Sequence, residues 1–169
     1  YWGLVTQVDR SVGGILKTLE ALNLSEKTIV VYTSDHGDMM GSHHMVEKSV
    51  MYEEALKVPW LMRIPQMKRK GWTLSGRFSQ IDMVPTLLDL MGRDAAQGLP
   101  GKSLLPMLQG QSAEENDVFV QWNPPSGAVK VRKAGTKLAS AEELKRLEEE
   151  HSRAIISQGW KLCLSDVDR

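Results

Sequence analysis

Asp35 and His36 are metal-ligand residue types, and they stand side by side where an apolar run ends. That run, Thr28-Ile29-Val30-Val31-Tyr32-Thr33, is β-branched and reads as a strand covered on both faces, as in a parallel sheet. Open α/β sheets place their chemistry at the carboxyl ends of such strands. Gly37 follows, a residue that permits close approach of backbone or ligand. His43, His44 and Lys48 then fall in a segment without periodicity. A short helical pattern surrounds Tyr52 to Leu56, and its paired carboxylates, Glu53 and Glu54, suit a helix N-terminus better than acid/base work. A second apolar strand, Trp60 to Ile64, lies between Pro59 and Pro65.

The elements that must position these residues are legible on either side. Trp2 to Leu22 carries apolar residues at helical spacing, interrupted by Gly13-Gly14. A polar connector, Asn23 to Lys27, leads into the first strand and completes half of a βαβ unit. Lys57 to Arg77 holds six basic residues and no acid, which reads first as a solvated turn. Asp82 is a candidate N-cap for a helix over Met83 to Met91, with Pro85 in its first turn and Gly92 past its end. Leu104, Leu105 and Leu108 predict a short helix. Gln111 to Asn116 is a polar break. Beyond it Val118 to Trp122 predicts a strand, and Ala139 to Ile156 a charged surface helix opened by a Ser140/Glu143 capping pattern. Ala154-Ile155-Ile156 and Trp160 to Leu164 predict a hairpin about Gln158-Gly159.

The totals bound the class. The chain has 169 residues, 41% hydrophobic and 25% charged, which suits a globular domain with a core. Its 21 basic and 21 acidic residues balance to zero, so nothing global points to nucleic acid or an acidic membrane surface. No run has the apolar length of a membrane span. The one cysteine, Cys163, excludes an internal disulfide framework and a multi-cysteine metal site, and its strand pattern predicts a small buried apolar residue.

The ordered string resembles the C-terminal half of a sulfatase in the alkaline-phosphatase superfamily. It comprises Asp35-His36-Gly37, Gly41-Ser42-His43, Lys48 thirteen residues after Asp35, Tyr52-Glu53-Glu54 and Val58-Pro59. The opening helix, with Tyr1, Val5, Val8-Asp9 and Val12-Gly13, is family-like too. So are Ile81 to Gly92 and Gly98 to Gly110, which read as architecture rather than chemistry. The resemblance implies an α/β fold: residues 1–116 as the C-terminal portion of a mostly parallel catalytic sheet with flanking helices, and 117–169 as the start of a small antiparallel α+β subdomain. The chain opens at Tyr1 on a helical pattern and stops short of the family's closing Leu-Tyr-Asp-Leu, so a fragment truncated at both ends is the expectation. Such a piece would expose apolar surface and self-associate.

Sulfate-ester hydrolysis needs a nucleophile, cations on the anionic oxygens and an acid for the leaving oxygen. By resemblance, Asp35 and His36 are the metal ligands that this half supplies, although many sulfatases carry Asn at the second position. Ligand softness allows zinc at an Asp/His pair, whereas the resemblance implies calcium. Lys48 would be a fixed positive charge on a sulfate oxygen. The Gly-x-His match selects His43 to meet the leaving group, with His44 a second substrate-contact candidate. His-His pairs also occur in the superfamily's phosphonate monoester hydrolases. Asp38 reads as a supporting or surface carboxylate, and Met39, Met40, Met45 and Met51 as filling around the loop. The family's nucleophile is a formylglycine made from Cys or Ser in a Cys/Ser-x-Pro-x-Arg motif, and neither that motif nor the Asp-Asp pair completing the metal shell occurs here. Half a site is therefore expected to be inactive alone. The parent would be a sulfatase acting on a sulfated small molecule or glycan, with a periplasmic, secreted or lysosomal setting as a family tendency. A phosphonate or phosphodiester hydrolase, or a binding module that kept the fold and lost the reaction, are the alternatives.

Overall fold

A computed structural model describes residues 1–67, 71–94, 97–111, 116–123 and 151–166. The order of elements is α1 (Trp2–Ala21), β1 (Val30–Thr33), α2 (Glu53–Leu56), β2 (Trp60–Arg63), α3 (Met83–Leu90), α4 (Leu105–Leu108), β3 (Val118–Trp122), β4 (Ser152–Ser157) and β5 (Trp160–Ser165). Short 3-10 turns occupy Ser25–Lys27, Ser42–His44 and Gln80–Asp82.

The α/β class is met, with a difference in strand direction. β1 pairs antiparallel with β2, Val30 opposite Arg63 and Thr33 opposite Trp60. β1 is half-buried along most of its length and Tyr32 is exposed, so cover on both faces is not achieved by the described residues. The second sheet, β3-β4-β5, is antiparallel throughout and closes on the expected hairpin. Most of the charged stretch from Ala139 lies outside the described residues, but its end is strand, since Ser152–Ile156 belong to β4. Cys163 corrects an expectation: it is exposed, because β5 is an edge strand with little covering it.

α1 runs through Gly13-Gly14 and ends as its sequence requires. Asn23 takes φ 56°, its N–H donates to the Glu20 carbonyl at 2.9 Å, and Leu24 N–H donates to Leu19 at 2.8 Å. That is a Schellman closure with Asn in the left-handed position. α3 ends the same way on Gly92, φ 65°. No residue of α1 is buried, and Trp2, Leu4 and Ile15 stand exposed on it. No helix among the described residues is long and apolar enough to cross a membrane.

Close packing marks the start of α3. Asp82 stands at the N-cap of α3 as expected, but its buried side chain makes no capping bond to that helix and accepts two other backbone N–H groups. One oxygen accepts Ser79 N–H at 2.9 Å, completing a capping box, and the other accepts Lys102 N–H at 2.9 Å. Thr86, fully buried, donates its hydroxyl to the Asp82 carbonyl at 2.6 Å and accepts Leu104 N–H at 2.9 Å. Gly101 presses on the same turn so closely that a Cβ would lie 2.0 Å from the Ile81 carbonyl oxygen. Beside this network a cavity of about 580 Å³ is lined by Trp60, Arg63, Trp72, Phe78, Thr86 and Leu108.

Asp82→Ala would strand two backbone N–H groups in a buried place. Urea unfolding should show a loss of about 3 kcal/mol. A loss below about 0.5 kcal/mol, the level of an ordinary surface change, would contradict this role.

Candidate functional site

The Asp35-His36-Gly37 turn is fixed by its own hydrogen bonds. His36 N–H donates to Asp35 Oδ1 at 3.0 Å, and Ser34 Oγ donates to the His36 carbonyl at 2.8 Å. The Gln80 amide reaches back from the turn before α3 to the Ser34 carbonyl. Gly37 N–H donates to the Ala55 carbonyl at 2.8 Å. Gly37 also lies so near α2 that a Cβ there would be 1.9 Å from the Glu54 carbonyl oxygen. Glycine is therefore required for approach of backbone to backbone, and Gly37 is not among the residues with positive φ.

This geometry aims the His36 ring. Nδ1 lies 2.7 Å from the Gly37 carbonyl, which can only accept, so Nδ1 carries a proton. Nε2 then faces Asp35 Oδ2 at 3.5 Å. In that tautomer the Nε2 electron pair faces a carboxylate, an arrangement that a shared cation would suit. Asp35 is 83% exposed at its side chain and His36 39%. Desolvation pushes the Asp35 carboxyl upward, but the N–H groups of Asp35 and His36, the His36 ring and the Ser34 hydroxyl outweigh it and leave the pKa below its ordinary value. A carboxylate and an imidazole nitrogen of this kind fit a divalent ion as two ligands of a larger shell. Among the described residues no group of three or more His, Cys, Asp or Glu side chains comes together for a metal.

The following loop is compact and unusual in backbone. Met39 is fully buried and its N–H donates to the Glu47 carbonyl at 2.7 Å, drawing the two ends of the loop together. Between them Met40, His43, His44 and Glu47 all take positive φ, as does Ser49 just beyond. Conformations of this kind are costly for such residues and persist only where the surroundings impose them. Of the methionines expected to fill around the loop, Met39 does so, Met45 and Met51 are half-buried, and Met40 is 52% exposed. Asp38 accepts Met40 N–H at 2.8 Å.

His43 stacks on Tyr52, ring centroids 4.0 Å apart and planes 16° apart. Its Nε2 lies 3.8 Å from Glu54 Oε1. Glu54 is held below its ordinary pKa by its own backbone N–H; desolvation opposes, and the Ser42 hydroxyl and the charges of His43 and Lys161 assist. The structure therefore sets Asp35-His36 and His43 against the same small helix, α2, the first through Gly37 and the second through Tyr52 and Glu54. His44 is exposed and turned by φ 59°. Lys48 is exposed one residue past the Met39–Glu47 bond, and its side chain makes no hydrogen bond or ion pair among the described residues. Sequence reasoning missed Gln80, Ser42 and Glu54 as supports of the site. Only Glu54 had a signal, its place beside Tyr52, and that signal equally fits a helix start.

Comparison with known proteins identifies the family. Residues 1–93 match the Sulfatase family model. An ulvan-active sulfatase from Formosa agariphila is 35% identical over 117 residues, 68% of this chain and 23% of that protein. Human arylsulfatase K is 38% identical over 118 residues, 70% of this chain and 22% of that protein. A solved structure in complex with its substrate D-glucosamine-2-N,6-O-disulfate superimposes with a TM-score of 0.77 at 27% identity, covering 94% of this chain and 29% of that one. A phosphonate monoester hydrolase from Silicibacter pomeroyi reaches the same TM-score at 24% identity, covering 97% of this chain and 31% of that one, and shows the fold alone. The chain thus spans about a fifth of the length of the curated relatives it matches.

Gly37→Ala should cost at least about 2 kcal/mol in thermal or urea unfolding, since backbone rather than a rotatable side chain meets the new methyl. An unchanged midpoint would refute the close contact. Asp35 and Glu54 should titrate below their ordinary values of 3.8 and 4.5 in carboxyl carbon NMR. A depressed folded pKa contributes stability above the ordinary value, and that contribution is lost as pH falls through the folded value. Titration of either group at or above its ordinary value would contradict the hydrogen bonding described.

Proposed function

Since the chain belongs to the sulfatase family, we propose that it supplies part of the active site of an enzyme that hydrolyses sulfate esters. The observation that carries this reading is the Asp35-His36 pair, held at the end of β1 in a chain whose first 93 residues match the family. The names of the relatives, one ulvan-active, and the disulfated glucosamine in a structural neighbour support a sulfated glycan as the substrate class.

In this proposal Asp35 and His36 hold a divalent ion, calcium by family likeness, through Asp35 oxygen and His36 Nε2. Such an ion would stabilise negative charge on the sulfate oxygens. Lys48 places an ammonium against the same oxygens. His43 holds a proton for the leaving oxygen; with Nε2 turned to Glu54, the nitrogen left to face substrate is Nδ1. His44 is the neighbouring substrate contact. The nucleophile, proposed as a formylglycine, and the remaining ligands come from outside these 169 residues. The adjacent His43-His44 pair is the observation that favours a second reading, a phosphonate or phosphodiester hydrolase.

The 169-residue chain alone is expected to release no sulfate above a buffer blank and to bind calcium with Kd weaker than about 1 mM, below even the weak protein sites. Sulfate release abolished by Asp35→Ala would contradict the division of the site. In a chain extended to a whole sulfatase domain, Asp35→Ala or Lys48→Ala should lower kcat about a hundredfold or more. A higher kcat/KM for a phosphonate monoester than for a sulfate ester would replace the first reading with the second.

A further inference from the structure

Lys161 lies on β5, far along the chain from the loop, yet its ammonium reaches the loop's last turn. Nζ donates to the Met51 carbonyl at 2.8 Å and to Glu53 Oε1 at 3.3 Å. The residue between those two acceptors is Tyr52, whose ring carries His43. The residue after them is Glu54, whose carboxylate faces His43 Nε2.

We propose that Lys161 is a positioning residue for His43, clamping the Met51–Glu53 turn so that Tyr52 and Glu54 hold the imidazole. Its catalytic meaning rests on the role proposed for His43. α2 has four residues, far too few to be stable as an isolated helix. No side chain caps its start, and Tyr52 enters it with an extended backbone, φ −80° and ψ 153°. Something outside α2 must fix it. Gly37 N–H holds the Ala55 carbonyl near one end, and Lys161 holds the other. The Lys161 side chain is 26% exposed, so part of its hydration has been exchanged for these two acceptors. Lys57 also meets Glu53, at 3.4 Å, but is 83% exposed and reaches only the carboxylate. Lys161 alone of the two bonds the backbone ahead of Tyr52. The charge of Lys161 also helps to hold Glu54 ionised beside His43.

The test is NMR of the 169-residue chain, reading the nuclear Overhauser contacts between the His43 and Tyr52 rings and the upfield displacement of the His43 ring protons. Lys161→Met keeps the aliphatic stem and removes the donor. It should abolish the contacts and at least halve the displacement, while the amide shifts of β3 and β4 stay in place. Lys161→Arg should restore most of both, and Lys57→Ala should change neither. Contacts and displacement unchanged in Lys161→Met would overturn the proposal. If Lys161→Ala loosens the hairpin, the Met variant decides. In a whole sulfatase domain Lys161→Met should lower kcat by ten- to a hundredfold with KM little changed, as misplacement of a reacting group does. A lost stack with unchanged kcat would uphold the positioning by Lys161 and remove His43 from the chemistry.

Discussion

The contact between Gly37 and α2 is the constraint on which the site depends. Two stretches of backbone meet there with no room for a side chain, and one N–H–carbonyl bond of 2.8 Å fixes their distance. The arrangement of Asp35 and His36 follows from it. The Gly37 carbonyl takes the Nδ1 edge of His36, which turns Nε2 toward Asp35. Ser34 and Gln80 then hold the turn from behind. Tyr52 at the N-cap of α2 and Glu54 within it meet His43, so the same short helix also sets that imidazole. A site of this kind has little tolerance for shift, because each donor is aimed by a neighbour rather than by its own rotamer preference.

Long-range polar links among the described residues tie these segments to the rest of the fold. The buried Asp82 carboxylate joins its own turn to the segment at Lys102 through two backbone N–H groups, and that turn also carries Gln80, which reaches Ser34. Arg63 ties β2 to the turn after α1, at 3.0 Å from the Ser25 carbonyl and 3.2 Å from Glu26. Lys161 brings the second sheet onto the start of α2. These links are mostly charged groups on backbone carbonyls or amides, the stronger class of protein hydrogen bond. The apolar core is small by comparison: Met39, Ala55, Leu104 and Ala154 are the buried hydrophobic residues among those described.

Local patterns were legible in the sequence, and long-range polar contacts were not. The apolar stripe of α1, the β-branched run of β1, Gly92 past α3 and the Gln158-Gly159 hairpin all reported their structure, because each is decided within a few residues. Asp82 looked like a cap from its neighbours, but its partner Lys102 lies twenty residues on, and nothing local announces a buried carboxylate. Cys163 followed a strand pattern, yet burial depends on what covers a strand, and β5 lies at an edge. The pairing of β1 with β2 is likewise a matter of sheet order rather than of composition. In the site, Asp35-His36 and the loop histidines were visible as residue types at a strand end. The roles of Glu54, Gln80 and Lys161 arise only once folding brings distant turns together.

The most direct measurement is the nitrogen NMR of the neutral His36 imidazole in the 169-residue chain. The account predicts the proton on Nδ1, bonded to the Gly37 carbonyl, with the free electron pair on Nε2 beside Asp35. A proton found on Nε2 and a free pair on Nδ1 would contradict it, because the Gly37 carbonyl would then receive no hydrogen bond from the ring.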